Sequence, residues 1–354
     1  MQILVVNAGS SGLKLRLLDH NDGLVASEDV GATRDLGPVL SRWEPPDAVG
    51  HRIVHGGTRF TSSVRVTQGV VEELKELIDL APLHLPRALE AIAEAGRIFP
   101  DAPVVACFDT AFHSELPAPA ATYALPRRWR DTWNLRRFGF HGLSHSYAAR
   151  RAAALLGRSV EELRLVTCHL GAGASLAAVK GGASVDTTMG FTPLEGLVMA
   201  TRSGTVDPGL VLWLETVQGI PAAEISRALE HESGLLGLSG TADMEEVVLG
   251  RSPEARLALE VYVHRLCASI AAMASAMRGV DGVVFTGGVG ENAVVVRERC
   301  MSALDWMGCA VDTIANERAR GDAVISPPTA KVGAVVVSAR EDLEIAREVR
   351  RVLR

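Results

Sequence analysis

Leu163-Arg164-Leu165-Val166-Thr167-Cys168 leads into His169-Leu170-Gly171-Ala172-Gly173-Ala174-Ser175 and on to Leu176-Ala177-Ala178-Val179: an apolar run, a glycine-rich turn, a second apolar run. The amino-terminal stretch has the same plan. Ile3 to Val6 and Leu13 to Leu18 are strand-like runs separated by Asn7-Ala8-Gly9-Ser10-Ser11-Gly12, where Gly and Ser permit a tight turn. The repetition reads as an internal duplication.

Working outward, Val104 to Phe108 is another short apolar run, and Val283-Val284-Phe285 precedes a third glycine-rich turn. Helix-period segments lie between the strands at 71–80, 87–99, 146–156, 254–277 and 341–353. Strands alternating with helices predict an α/β architecture. At 354 residues the chain exceeds the roughly 250–300 at which a single core stops growing, so two domains are expected, with a cleft between them as the default ligand site. No Pro/Gly/Ser-rich linker divides the chain, so the boundary is placed from the repeat, in the helix-poor stretch Glu115-Leu116-Pro117-Ala118-Pro119. The expected domains are 1–114 with 342–354 packed back on it, and 115–341.

A formal net charge of -6 provides no positive field for a nucleic-acid backbone, so DNA and RNA are poor partners. The opening Met1-Gln2-Ile3-Leu4-Val5-Val6 carries no basic leader and breaks at Asn7, which reads as a buried strand in a cytosolic protein. Five cysteines, an odd number without a C-x-x-C pair, suit free thiols in a reducing compartment. The longest apolar stretch, Ala255 to Met277, is interrupted by Glu260, His264 and Arg265 and reads as a core helix, so no membrane is expected.

Three strand-exit turns, Asn7 to Gly12, Gly171 to Gly173 and Gly287 to Asn292, could each offer backbone N–H groups to phosphate oxygens. Any one alone is weak evidence, since a glycine turn after a strand is more often a plain hairpin turn. Neither G-x-x-x-x-G-K-[ST] nor G-x-G-x-x-G is present, which removes the two commonest nucleotide folds. What remains is a duplicated actin-like ATPase core of the ribonuclease H-like kind, with two glycine hairpins holding phosphates and Lys14 reaching them from the first.

Four polar positions stand out. Arg52, in His51-Arg52-Ile53-Val54-His55-Gly56-Gly57, is either a planar clamp for a carboxylate or phosphate or an arginine paired with a nearby acid; His55 reads as structural. Asp109 directly follows an apolar strand, where open α/β sheets present functional groups, though it could equally cap the next turn. His141 and His145, in Phe138-Gly139-Phe140-His141-Gly142-Leu143-Ser144-His145, fit donation to a phosphoryl oxygen better than zinc, because Gly142 weakens a helix there and no acidic third ligand is near; a capping turn with a buried histidine is the plainer reading. Arg202 lies in a long Gly/Thr/Pro-punctuated stretch, Asp186 to Gly209, placed for a small anion or solvated.

Together, Asn7 to Ser11, His51 to Gly57, Phe108 to His113, Phe138 to His145, Met189 to Gly209 and Gly287 to Asn292 closely resemble the acetate kinase family, nearly end to end. The resemblance implies a homodimer of two related actin-like domains, transferring phosphate between ATP and a short-chain carboxylate, acetate or propionate, in a direct in-line step. It implies magnesium, with manganese as a substitute, near Asn7 and Glu341, and Lys14 near the phosphates. Arg52 would hold the carboxylate, Arg202 would neutralise the transferring group, and His141 would bond its equatorial oxygens. His169, Leu170, Gly171, Ala172 and Gly173, then Asp243, Met244 and Glu245, then Gly287, Gly288, Val289, Gly290 and Glu291, would surround the nucleotide. Such an acid is already ionised at pH 7, so Asp109 is assigned to positioning, by fixing magnesium or an arginine.

The chain departs from the family at Gly12, where Ser is usual, at Ala172, where Asn is usual, and at Glu245, where an Arg is common. It is also shortened between Asp19 and Gly50. These departures keep two alternatives open: a nucleotide-binding relative without catalysis, or a carboxylate kinase with another donor such as pyrophosphate. Val54 and Pro193 are candidates for the acceptor pocket, and acid length stays open.

Overall fold

β1 (Ile3–Ala8) alternates its side chains between two helices: Leu4 and Val6 share a core with Ala91 and Ala95 of the helix Leu85–Ile98, whereas Ile3 and Val5 pack with Ile345, Ala346 and Val349 of the helix Glu341–Val352. A strand covered on both faces must read as a continuous apolar run, which is why its sequence lacks polar alternation. The computed structural model describes residues 1–8, 12–31, 36–82 and 84–354; the tip of the first glycine hairpin, 9–11, lies outside them.

The first unit contains Met1–Ser114, Phe140–Tyr147 and Arg340–Arg354. Its strands continue with β2 (Gly12–Leu18), β3 (Leu24–Gly31), β4 (Ala48–Ile53), β5 (Val64–Arg65) and β6 (Val104–Phe108), in the order β3-β2-β1-β4-β6-β5. β1, β4 and β6 run parallel at the centre, and β2, β3 and β5 pair antiparallel outside them. Gly50 of β4 lets the helix Glu341–Val352 approach closely, since a Cβ there would lie 2.5 Å from Ile345 Cγ2 and 2.7 Å from Val349 Cγ2.

The second unit contains Glu115–Gly139 and Ala148–Ala339. Phe140–Tyr147, which the sequence expectation runs within 115–341, groups with the first unit. Its strands are β7 (Arg164–Leu170), β8 (Ala174–Lys180), β9 (Ala183–Thr187), β10 (Gly282–Thr286), β11 (Ala323–Val324) and β12 (Gly333–Val336), ordered β11-β12-β10-β7-β8-β9. Read from its β9 end, this sheet repeats the first unit's order and pairing senses strand for strand. The duplication expected from the two hairpins is therefore a duplication of whole sheets, the plan of an actin-like core.

The helix Pro253–Ala276, capped by Ser252 Oγ accepting from the Ala255 N–H at 3.1 Å, buries Ala258, Leu259, Tyr262, Leu266 and Ile270. It is the one described helix long and apolar enough to cross a membrane, yet 44% of its apolar window is buried within the fold. All five cysteines are free.

Candidate active site

The first unit places an arginine and an aspartate at the carboxyl ends of two neighbouring parallel strands. Arg52 is the next-to-last residue of β4 and Asp109 the first after β6, and these strands are neighbours in register. Arg52 Nη2 donates to Asp109 Oδ2 at 2.6 Å, and its Nε lies 3.0 and 3.2 Å from the two carboxylate oxygens. Nη1 donates to Asn7 Oδ1 at 3.1 Å and lies 3.9 Å from Glu341 Oε2, which itself accepts from Asn7 Nδ2 at 2.6 Å. Asp109 is fully buried. Burial alone would pull the Arg52 guanidinium down, but the charges of Asp109 and Glu341 and the hydrogen bonds to Asp109 outweigh it, and the net direction is up. Burial pushes the Asp109 carboxyl up, against the opposing pull of Arg52. Arg52 is thus an arginine paired with an acid, and both carboxylate oxygens of Asp109 face it.

Asp109 also organises His141. Its carboxylate accepts the His141 backbone N–H, and its carbonyl accepts the Gly142 N–H at 3.0 Å. His141 stands at φ +56, a left-handed conformation that non-glycine residues adopt only when their surroundings impose it. The next position must be glycine, because a Cβ would overlap the Asp109 carbonyl oxygen. The helix expected from Ser146 therefore begins at Gly142, in spite of the glycine's weak propensity. The His141 and His145 rings are 6.5 Å apart between centroids, His113 packs 5.8 Å from His145, and the described residues contain no group of three side chains suited to a metal. Burial holds His51 down to about 3, and His55 and His113 down to about 4, so all three are neutral at pH 7.

In the second unit, β7 and β8 are joined by the three-residue turn 171–173, closed by Gly171 N–H to Gly173 O at 3.0 Å. Pairing of Thr286 with His169 brings residues 287–292 beside it, and these form a short helix, Gly287–Asn292, where the sequence predicts a glycine-rich turn. Gly287 has φ +79, and a Cβ there would lie 2.7 Å from the Leu170 carbonyl oxygen, whereas Gly288 faces open space. His169 to Gly173 and Gly287 to Glu291 thus share one sheet edge. Asp243 to Glu245 instead open the short helix Met244–Leu249, with Asp243 accepting from the Glu245 N–H at 2.8 Å.

Arg202 belongs to this unit, and Ala200 N–H to Ala172 O at 3.1 Å ties its segment to the 171–173 turn. Its Nη1 lies 3.3 Å from the Pro193 carbonyl oxygen and 4.0 Å from Met199 Sδ. Among the described residues no acid comes within ion-pair distance of it, and burial moves its pKa down, with Glu230 opposing from farther away. Lys14, opposite Asn7 in the β1–β2 pair, is exposed.

Two departures have local reasons. A Cβ at Gly12 would lie 2.7 Å from the Val30 carbonyl oxygen, so the side chain is excluded where β2 meets β3. Glu245 sits in a first helical turn, where a negative charge suits the helix dipole. Nothing in the structure explains Ala172.

Sequence reasoning missed Arg297, which is fully buried. It donates to the carbonyls of Gly290 and Glu291 at 2.9 and 2.7 Å and to Asn316 O and Oδ1 at 3.0 and 2.7 Å, bracing the short helix Gly287–Asn292. Burial pulls its guanidinium down to about 10. The available signal was its spacing, one turn before the apolar pair Cys300 and Met301.

Known proteins similar to this chain include acetate and propionate kinases. Residues 41–347 match the family model described as Acetokinase family. The acetate kinase of Geobacillus kaustophilus is 40% identical, covering 99% of this chain and 98% of that one. Among solved structures, acetate kinase from Porphyromonas gingivalis superposes with a TM-score of 0.92 at 36% identity over the whole of both chains. A propionate kinase from Francisella tularensis gives 0.90 at 35% over 98% of each.

Proposed function

The chain belongs to the acetokinase family, and we propose from that premise that it is a reversible carboxylate kinase, moving a phosphoryl group from ATP to acetate or propionate and yielding ADP and an acyl phosphate. The observation that carries this reading is Arg202: a half-buried cation with no acid partner among the described residues, in a segment hydrogen-bonded to a glycine turn. A cation held partly out of water without an ion-pair partner is costly, and an incoming anion relieves that cost. Arg202 then neutralises charge on the transferring group, and His141 donates to its oxygens, in a reaction governed by orientation and charge cancellation.

The acid needs no base, and Asp109 acts by position. It fixes Arg52 by accepting from its Nε and Nη2, and it fixes the strained backbone of His141. Lys14, His169 to Gly173, Asp243 to Glu245 and Gly287 to Glu291 would receive the nucleotide, which assigns its recognition chiefly to the second unit. Asn7 and Glu341 offer one amide and one carboxylate, hard oxygen donors too few for a closed cage and suited to a divalent cation that keeps several waters, magnesium or manganese. Such a cation, when bound, would offset charge on the phosphate oxygens.

A homodimer is supported by the helix Pro208–Thr216, which leaves Leu210, Leu212 and Trp213 exposed, with Val217 just beyond. Five free thiols support a reducing cytosol. The test is acyl phosphate formation, trapped as hydroxamate, with ATP, magnesium and C2 to C4 acids. Arg202→Ala should lower kcat about 10²–10³-fold at unchanged melting temperature. A near-normal rate overturns the assignment.

A further inference from the structure

Behind the segment that carries Arg202, three polar side chains of the second unit form a closed knot. The Tyr123 hydroxyl donates to Glu195 Oε2 at 2.5 Å and accepts the Phe191 N–H at 2.9 Å. Arg137 Nη2 donates to Glu195 Oε1 at 2.6 Å, and its Nη1 donates to the carbonyls of Thr188 and Met189, each at 3.0 Å. The Arg137 guanidinium also lies 5.5 Å from the centroid of the Tyr123 ring. Gly190 completes the closure: its carbonyl accepts from the N–H groups of Phe138 and Gly139 at 3.0 and 3.3 Å, and a Cβ on it would collide with Glu195 Oε2 and the Tyr123 hydroxyl.

Both oxygens of Glu195 are used, and the backbone from Thr188 to Phe191 is gripped at four points. So much directional bonding for one surface-reaching loop implies that its conformation matters. What the loop presents is the Pro193 carbonyl, two residues before Glu195, and that carbonyl is the oxygen on which Arg202 Nη1 rests. The Arg202 backbone is fixed separately, by Met199 N–H to its carbonyl at 3.1 Å and Ser233 N–H to Thr201 O at 2.9 Å. Among the described residues its guanidinium has no carboxylate within ion-pair distance to orient it, so the aim of the charged end depends on Pro193, and the place of Pro193 depends on the knot.

We propose that Tyr123, Glu195 and Arg137 are positioning residues that set the direction of the Arg202 guanidinium through the Pro193 carbonyl. The inference rests on the reading of Arg202 as the group that meets the transferring anion. An arginine aimed by a neutral carbonyl keeps its whole charge for the ligand, whereas one aimed by a carboxylate does not.

The test is a double-mutant cycle in the hydroxamate assay. Glu195→Gln keeps the shape and removes the charge that pairs with Arg137; kcat should fall about tenfold, with KM for nucleotide and melting temperature little changed. In an Arg202→Ala background the same substitution should have no further effect on kcat, which a merely structural role would not produce. Equal losses in both backgrounds, or an unchanged kcat for Glu195→Gln, overturn the proposal. If Glu195→Gln lowers the melting temperature, Tyr123→Phe decides, since it deletes one hydroxyl and leaves the ring; it should lower kcat severalfold in the native background only, and a silent or additive result overturns the proposal. A silent Arg202→Ala sinks the functional reading itself, and a damaging Arg202→Ala with silent Glu195→Gln and Tyr123→Phe sinks only this inference.

Discussion

The two units share one strand order and one set of pairing senses, yet they end their central strands in opposite ways. Counted from the last pair of each hairpin, Ala8 with Leu13 and Leu170 with Ala174, Arg52 of the first unit corresponds to Thr286 of the second. In the first unit that strand end holds an ion pair, and in the second it passes into Gly287 at φ +79. A parallel sheet supplies places where groups can be presented, and the residues at those places decide whether the presentation is charge or bare backbone. The contrast extends to the two arginines: Arg52 is braced by Asp109, whereas Arg202 is steered by a carbonyl and has no acid within ion-pair distance among the described residues.

Acid should separate the units most strongly. His51, His55 and His113, held neutral by burial, all belong to the first. Their folded pKa values lie below the unfolded value near 6.5, so the unfolded chain binds protons first, and stability is lost as pH falls from about 6.5 toward 4. Each histidine removes up to about 1.4 kcal/mol per pH unit in that window. Hydrogen exchange between pH 7 and 5 should show β1, β4 and β6 loosening before β7 and β10; simultaneous loosening would break the comparison. Next in size, Asp109→Asn leaves the Arg52 charge nearly buried without its main partner and should cost about 3–5 kcal/mol in denaturant unfolding. Smallest is Gly287→Ala, about 1–2 kcal/mol from the left-handed backbone alone, with a raised KM for nucleotide and a lesser change in kcat. An unaltered nucleotide KM would show that the glycine serves only the Leu170 contact.

Much of the scaffold was legible because it is local. β1, β2, β7 and β8 appear as apolar runs around glycine turns, and the helices Leu85–Ile98 and Pro253–Ala276 as periodic patterns. Asp109 was visible as a carboxylate at a strand exit, but its hold on Arg52 joins residues 57 apart, and no spacing rule reaches across β6 to β4. The start of the helix at Gly142 was misplaced because propensity was weighed without the Asp109 carbonyl beneath it. Tyr123, Glu195 and Arg297 went unnoticed for a shared reason: each acts by hydrogen bonds to backbone or to distant side chains, and a sequence shows neither.

The missing side chain at Gly50, in the middle of the sheet, has a bearing on how the chain is built. The helix that lies over it, Glu341–Val352, leaves the ribosome only after every residue of the second unit has been made. Until then the sheet face that packs on Ile345, Ala346 and Val349 lacks that cover, so the earlier-translated unit cannot complete its core before the last helix emerges, and a nascent chain stalled before residue 341 would expose apolar strand surface to whatever chaperone is at hand.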